Sequence, residues 1–397
     1  MRDLSLIYSA TFLRAVATSL FAVILPVYLA KLGLDPLHIG TIVSVGLASA
    51  AFTTFLATFF GDRIGRKAFL VATSLLMFVG VALTLTLSNY GALLVASIVG
   101  MFNGMGKDRG SLLVLESTIL PSLKSPQERT TAFAWYSALQ DVGHAVGSLL
   151  AGLPVWILAR SDAPEIIAYK VPIAAYAAFF LVTTLLYASL SKKVECPRAD
   201  IRPKVSAESR KIIWKISGLF AIDSAAGGFL TASLLSYFFY ERFDASTATI
   251  GVLFFFARTL NAVSHLGAAW LAKRIGLVNT MVFTHIPSSL LLASVIIAPN
   301  FHVAAILFLL REGFVEMDVP TRQSYVMAVI QPEERTFASG ITHLVRMAGW
   351  ALAPALAGGL MQKVSFGLPI LIGASMKIAY DIALYVSFRK IKPPDER

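Results

Sequence analysis

This chain carries little charge. Asp, Glu, Lys and Arg make up 14% of its 397 residues, against 56% hydrophobic ones. Soluble domains average roughly 25% charged residues, so the composition argues against an ordinary cytosolic enzyme. A single cysteine, Cys196, excludes an internal disulfide framework and any thiolate metal cluster. No glycine-lysine phosphate loop is present, so ATP drive within the chain is not expected. Neither a His-Glu-x-x-His pair nor another obvious zinc spacing occurs among the six histidines, so no metal or cofactor is expected. The 27 Phe, 27 Gly and 17 Pro are a mixture that membrane helices tolerate.

A helix crossing about 30 Å of hydrocarbon needs roughly 20 mostly apolar residues. Twelve such runs are predicted, near 4–30, 37–60, 68–87, 91–120, 130–157, 168–190, 212–239, 246–271, 277–298, 301–329, 337–361 and 367–388. They nearly fill the chain and leave no sizeable soluble domain. The first run starts close to Met1 without a small-residue cleavage site, and is read as a permanent helix rather than a signal peptide. The net charge of +11 is unevenly placed. Arg63, Arg66, Lys67, Lys124, Arg129, Lys273, Arg274, Arg335 and Arg389 fall on one side, together with the seven Lys and Arg residues of the 191–211 connector. By the positive-inside rule that side, with both termini, is cytoplasmic. Topology thereby accounts for the basic excess, and a nucleic-acid partner is not expected.

The chain also resembles itself. SPQERTTAFAWYSALQDVGHAVGSLLAG (125–152) aligns without gaps on QPEERTFASGITHLVRMAGWALAPALAG (331–358), matching Arg129 to Arg335 and Gly143 to Gly349. A weaker echo sets TFFGDRIGRK (58–67) on AWLAKRIGLV (269–278). The expected architecture is all-α: a six-helix bundle over 1–190, a cytoplasmic linker over 191–211 and a second bundle over 212–397.

GDRIGRK at 61–67, between the second and third spans, resembles the signature loop of the major facilitator superfamily. Thr58 stands where that family usually has its first glycine. Gly143, Gly147, Ser148, Ala151 and Gly152 partly resemble the fifth-helix motif of its antiporters, with Ser148 in place of the proline. Asn103-Gly104-Met105-Gly106 resembles the fourth-helix motif, but Gly100 occupies its arginine position. Stretches such as RIGLVNTMVFTHIP and KIAYDIALYVSF look like a bacterial drug/metabolite proton-antiporter-like subgroup. The resemblance implies a monomeric transporter of twelve spans in the bacterial inner membrane. It also implies a gating lock at Asp62, Arg63, Arg66 and Lys67, with Gly65 as the turn and Arg129 facing Asp62. The alternative is that these bases only anchor topology. Gly143, Gly147 and Gly152 likewise carry two readings, close helix packing and the sealing of an antiporter.

Ionisable residues at membrane depth are costly, and by default mark cavities, ion pairs or proton relays. Candidates for substrate or proton coupling are Arg14, Asp108, Arg109, Asp141 and His144 in the first half. The second half supplies Asp223, Arg258, Glu312, Glu316, Asp318 and Arg346. For each of these, a purely structural ion pair is the competing reading. In the resembled superfamily, helices one, four, seven and ten line the cavity. Lys107, Asp108 and Arg109 are consecutive and cannot all face one cavity, and flanking Gly106 and Gly110 favour a loosened helix there. Pro320 is expected to kink the tenth span. Lys377 and Asp381 are read as an intrahelical pair. These features together point to a secondary transporter of a small molecule in the lipid bilayer. Proton-coupled efflux is the leading mode, and anion uptake or exchange through Arg14, Arg258 and Arg346 the alternative. An intramembrane enzyme or a non-transporting sensor fits the residues less well.

Overall fold

The computed structural model describes residues 2–108, 110–123, 129–195, 206–318, 321–322 and 335–389. Helices account for almost all of them, and no strand occurs among the described residues. The helices are α1 (Arg2–Lys31), α2 (Pro36–Ile64), α3 (Arg66–Thr84), α4 (Tyr90–Gly100), α5 (Ser111–Ile119), α6 (Arg129–Leu150), α7 (Leu153–Leu158) and α8 (Glu165–Ala188). They continue with α9 (Ala207–Phe229), α10 (Ala232–Phe243), α11 (Thr247–Ile275), α12 (Leu277–Val295), α13 (Phe301–Val315), α14 (Arg335–Lys363) and α15 (Leu368–Phe388). Among the described residues, ten stretches are long and apolar enough to cross a membrane, and Tyr90–Gly100 is a shorter apolar helix. Phe52, Trp135, Leu352 and Val386 are each more than half exposed, as lipid-facing side chains are.

Local chemistry sets the helix ends. The side chains of Asp35, Asn89, Thr231 and Asn300 each accept from a backbone N–H of the helix they cap. Gly65 and Gly276 adopt φ of 105° and 86° at the α2–α3 and α11–α12 turns, a region that favours glycine. These two positions are the ones the 58–67 and 269–278 echo aligns.

Two of the predicted spans are broken. The run over 91–120 stops at Gly100, where Met101 turns left-handed (φ 49°), and resumes as α5 at Ser111. The run over 212–239 divides into α9 and α10 at Leu230 and Thr231. Polar groups freed at a break must find partners inside the protein. At the second break, the Ser233 N–H donates to the Gly104 carbonyl (3.0 Å), and Ser233 Oγ donates to that of Ala22 (2.9 Å). α13 ends at Val315, so the chain leaves the helix before Pro320, which lies outside the described residues.

The chain forms two compact units. The first comprises Met1–Asp200, Thr231–Phe255 and Pro354–Gln362; the second comprises Ile201–Leu230, Phe256–Ala353 and Lys363–Arg397. In the first, α1 is buried over most of its length between α6 and α8. A side chain at Gly147 would overlap the Val16 carbonyl, and one at Gly143 would come within 2.7 Å of Ala15 Cβ. The packing reading of these glycines is therefore realised on α1. In the second unit Gly349, the repeat partner of Gly143, lies against α9, where a Cβ would come within 2.9 Å of the Ala225 nitrogen. A separate apolar core joins α9, α12 and α15 through Ile216, Phe220, Met281, Val282, Tyr380 and Leu384.

The Lys31–Asp35 end of the first unit is closed by direct contact. Gly358 abuts the Pro36 carbonyl, and Ala355 N–H donates to Ser44 Oγ (2.9 Å). Lys31 pairs with Glu165 (2.7 Å), and Gln362 donates to Asp35 (3.0 Å). Partial burial works to raise the Asp35 carboxyl. The His38 N–H, the His38 imidazole and the Gln362 amide outweigh that and hold it below the usual carboxylate range.

Two outcomes follow. Gly147→Val should destabilise the protein by about 1–3 kcal/mol, because the added atoms meet backbone rather than a movable side chain; the melting midpoint in detergent reads this. A carboxyl depressed in the folded state stabilises above its unfolded value, and loses that contribution as pH falls through the folded one. Acid below about pH 4 should therefore loosen the Asp35 cap, and Asp35→Asn should flatten that part of the stability profile.

Candidate functional site: two buried charge networks

Arg14 stands in the middle of α1, 1% exposed. A guanidinium at that depth must be paired, because desolvating an unpaired ion costs several kcal/mol even after relaxation. Two carboxylates share it. Arg14 Nη2 lies 2.6 Å from Asp108 Oδ2 and 2.8 Å from Glu116 Oε2, and its Nε donates to Asp108 at 2.9 Å. Asp108 comes from the irregular segment between α4 and α5, and Glu116 from α5. The break in the fourth span is what lets both carboxylates reach one guanidinium.

The two carboxylates differ in surroundings. Glu116 is fully buried and accepts from Thr11 Oγ1, Tyr136 Oη and Tyr187 Oη, each at 2.7 Å, besides Arg14. Its acceptor capacity is filled by donors. Arg14 also contacts Tyr187 Oη. Asp108 instead lines a small pocket with Arg14, Thr53, Met101, Ser111 and Phe180. Its backbone N–H donates to His144 Nε2 at 3.3 Å. Asp141 is half-buried one turn before His144 on α6.

The second unit holds another network. Asp223 on α9 meets Lys377 Nζ at 2.8 Å, Arg322 Nη1 at 3.5 Å and Arg346 Nη2 at 3.7 Å. Arg322 also pairs with Asp318 one turn earlier, and both Arg322 and Arg346 lie over the Phe220 ring. Beyond Lys377, His285 on α12 contacts Asp381 on α15, with Nδ1 at 3.0 Å from either carboxylate oxygen. Glu312 pairs with its neighbour Arg311 and accepts from Asn261 Nδ2 at 2.8 Å, tying α13 to α11.

The structure thus gathers Arg14, Asp108 and His144 in one network, and Asp223, Asp318 and Arg346 in the other. Glu312 stands apart on Arg311 and Asn261, while Arg258 and Glu316 are half-buried on α11 and just beyond α13. Arg109 lies outside the described residues. Lys377 and Asp381 are corrected: they bond to different helices, through Asp223 and His285, rather than forming an intrahelical pair. Glu116 and Arg322 are not among the residues singled out from sequence, although each is an ionisable residue inside a predicted span and so carried that signal. His285 carried it too. Tyr136 and Tyr187 carried none.

At the other end of the first unit, the 61–67 loop is held by Glu195. Its carboxylate accepts from the backbone N–H groups of Arg66 (2.7 Å) and Lys67 (3.1 Å), capping α3. Lys67 Nζ donates to the Leu190 carbonyl at 2.7 Å, Arg66 is buried and Arg63 is exposed. The side chains of Asp62 and Arg129 lie outside the described residues.

The chain belongs to the Major Facilitator Superfamily, whose family description it matches over residues 7–354. It is a membrane transporter rather than an enzyme. It is similar to a Saccharomyces cerevisiae membrane protein, YJR124C, with 24% identity covering 98% of this chain and 94% of that one. It is also similar to the Bacillus subtilis multidrug efflux protein YfmO, 23% identical over 88% of this chain and 84% of that one. Among solved structures, the nucleoside transporter NupG shares the fold, with a TM-score of 0.75 at 14% identity, over 98% of this chain and 100% of that one.

If Glu116 anchors Arg14, removing it leaves a buried cation half-paired. Glu116→Ala should cost about 3–5 kcal/mol, whereas Tyr187→Phe should cost about 1 kcal/mol. Thermal unfolding of the two purified variants checks the order.

Proposed function

We propose that the protein is a proton-coupled secondary transporter that exports a small molecule by alternating access, with Asp108 exchanging the proton. The observation that carries this reading is the unequal pair of carboxylates on Arg14. Glu116, saturated by Thr11, Tyr136 and Tyr187, keeps Arg14 in place. Asp108 shares the same guanidinium but lines the pocket. A proton on Asp108 weakens its bond to Arg14; loss of the proton restores it. A cationic substrate in the pocket competes with that proton for the same carboxylate, which is the thermodynamic basis of antiport. Similarity to YfmO, by its name a multidrug efflux protein, supports the outward direction. The basic loops support cytoplasmic termini. In this reading residues 1–190 and 212–397 are the two bundles that alternate, and the 61–67 loop gates them through its bonds to Glu195.

One observation favours a second reading, uptake or exchange of an organic anion: Lys377, Arg322 and Arg346 converge on Asp223 and would suit a substrate carboxylate.

The test uses vesicles holding the purified protein and a trapped pH dye. External ethidium should discharge an inside-acid gradient, as antiport requires, and Asp108→Asn should reduce the response to that of protein-free vesicles. Discharge of only an outside-acid gradient, on adding a small organic anion, would establish the second reading. Retention of ethidium-driven proton flux by a correctly inserted Asp108→Asn variant would remove Asp108 from the coupling role.

A further inference from the structure

The second unit contains titratable groups that the pocket on Arg14 does not use. His285 and Asp381 are each 1% exposed, and Lys377 is 8% exposed. They lie on α12 and α15, and Lys377 reaches α9 through Asp223. The bonding order across them is directional. With Asp381 ionised, His285 Nδ1, at 3.0 Å from both of its oxygens, is the donor. His285 Nε2 is then a bare acceptor. It faces the Lys377 ammonium at 3.4 Å, while the same ammonium donates to Asp223 Oδ1 at 2.8 Å.

We propose that His285 is a second proton-binding site, and that a proton on its Nε2 breaks the His285 side of the bridge that Lys377 makes to Asp223. The proton comes from water and adds to the Nε2 lone pair; no other bond need break. The acceptor becomes a donor, and imidazolium and ammonium then face each other at a separation where like charges repel strongly in a dry interior. Asp381 stabilises the imidazolium, so the strain falls on Lys377. The contact between Lys377 and His285 is the interaction that yields, and the ammonium is driven onto Asp223, which ties α15 to α9. By reciprocity, a substrate group that takes Lys377 or Asp223 changes the affinity of His285 for its proton.

The other groups around the ring do not blur this linkage. α15 also presents Tyr380, whose ring stands edge-on to His285 at 6.3 Å. α13 packs on α12 too, but commits Arg311 and Glu312 to each other and Glu312 to Asn261. Behind Asp223 stand Arg346 on α14 and Arg322 with Asp318. With His285 neutral, Asp223, Asp318 and Asp381 face Lys377, Arg322 and Arg346, and a proton on the imidazole adds one uncompensated positive charge to that set. Lys377, Arg322 and Arg346 keep Asp223 partnered throughout, so the switch strands no carboxylate.

The inference rests on the proton-coupled reading for its role in transport, but its test does not. The full-length protein, labelled with 15N-histidine and placed in phosphatidylethanolamine/phosphatidylglycerol vesicles, is followed by solid-state NMR, and His285→Gln assigns the signal. At about pH 8.5 the ring should be the Nδ1–H tautomer, and by about pH 5 it should be doubly protonated. Lys377→Met should raise the ratio of doubly protonated to neutral ring by about tenfold at a fixed pH, since a facing cation is gone. Asp381→Asn should lower that ratio, and it identifies the same signal if His285→Gln does not fold. An Nε2–H tautomer at high pH, a ring unchanged across the range, or indifference to Lys377→Met would overturn the proposal. A titrating His285 in a protein that fails the ethidium experiment would instead overturn the coupling reading and leave the proton site standing.

Discussion

An ion inside a hydrocarbon layer has to bring its counter-ion with it, and most of what is specific in this protein follows from that constraint. Arg14 is the plainest case. Two carboxylates and a tyrosine hydroxyl converge on one guanidinium from α5, α8 and the segment before α5. To supply them, the fourth span gives up helix over ten residues, and the freed backbone is satisfied locally. Asn103, for instance, donates to the Lys107 carbonyl and accepts from the Met105 N–H. Burial of Arg14 thus uses a break that Gly106 and Gly110 already favour.

Close approach between helices is the second constraint. Hydrophobic burial does little to join helices in lipid, so contact depends on small residues that let backbones meet. Gly143 and Gly147 do this for α6 on α1, and Gly80 and Gly100 for α3 on α4. Gly349 does it for α14 on α9. The duplicated glycine therefore serves the same end in each half of the sequence. What was not duplicated is the charge: the first half sets Arg14 beside Glu116, whereas the second surrounds Asp223 with cations. Each compact unit thereby offers a different chemistry, a carboxylate open to a pocket in one and a cation-rich ring around a carboxylate in the other.

Tyrosine hydroxyls and a histidine complete these networks in distinct ways. Tyr136 and Tyr187 donate to Glu116 without adding charge, which holds the carboxylate in a fixed geometry. His285 sits between an acid and a base, where a proton on Nε2 turns the acceptor that faces Lys377 into a donor.

Apolar runs, glycine spacing and the Asp-Arg-x-Gly-Arg-Lys loop were enough to read the all-helical membrane fold, the internal repeat and the transporter family. Those properties are carried by local patterns, since each helix satisfies its own backbone and each turn its own glycine. The charged candidates were legible as a class, because an ionisable residue inside a span is costly wherever it points. Their partners were not. Lys377 and Asp381, one turn apart, read as a pair on one helix; α9 and α12 offered Asp223 and His285 and took one each. Glu116 gained its importance only when Arg14, Thr11, Tyr136 and Tyr187 closed around it from other helices. Pairing at a distance depends on which helix faces meet and where a helix breaks, and those are settled by packing the whole chain.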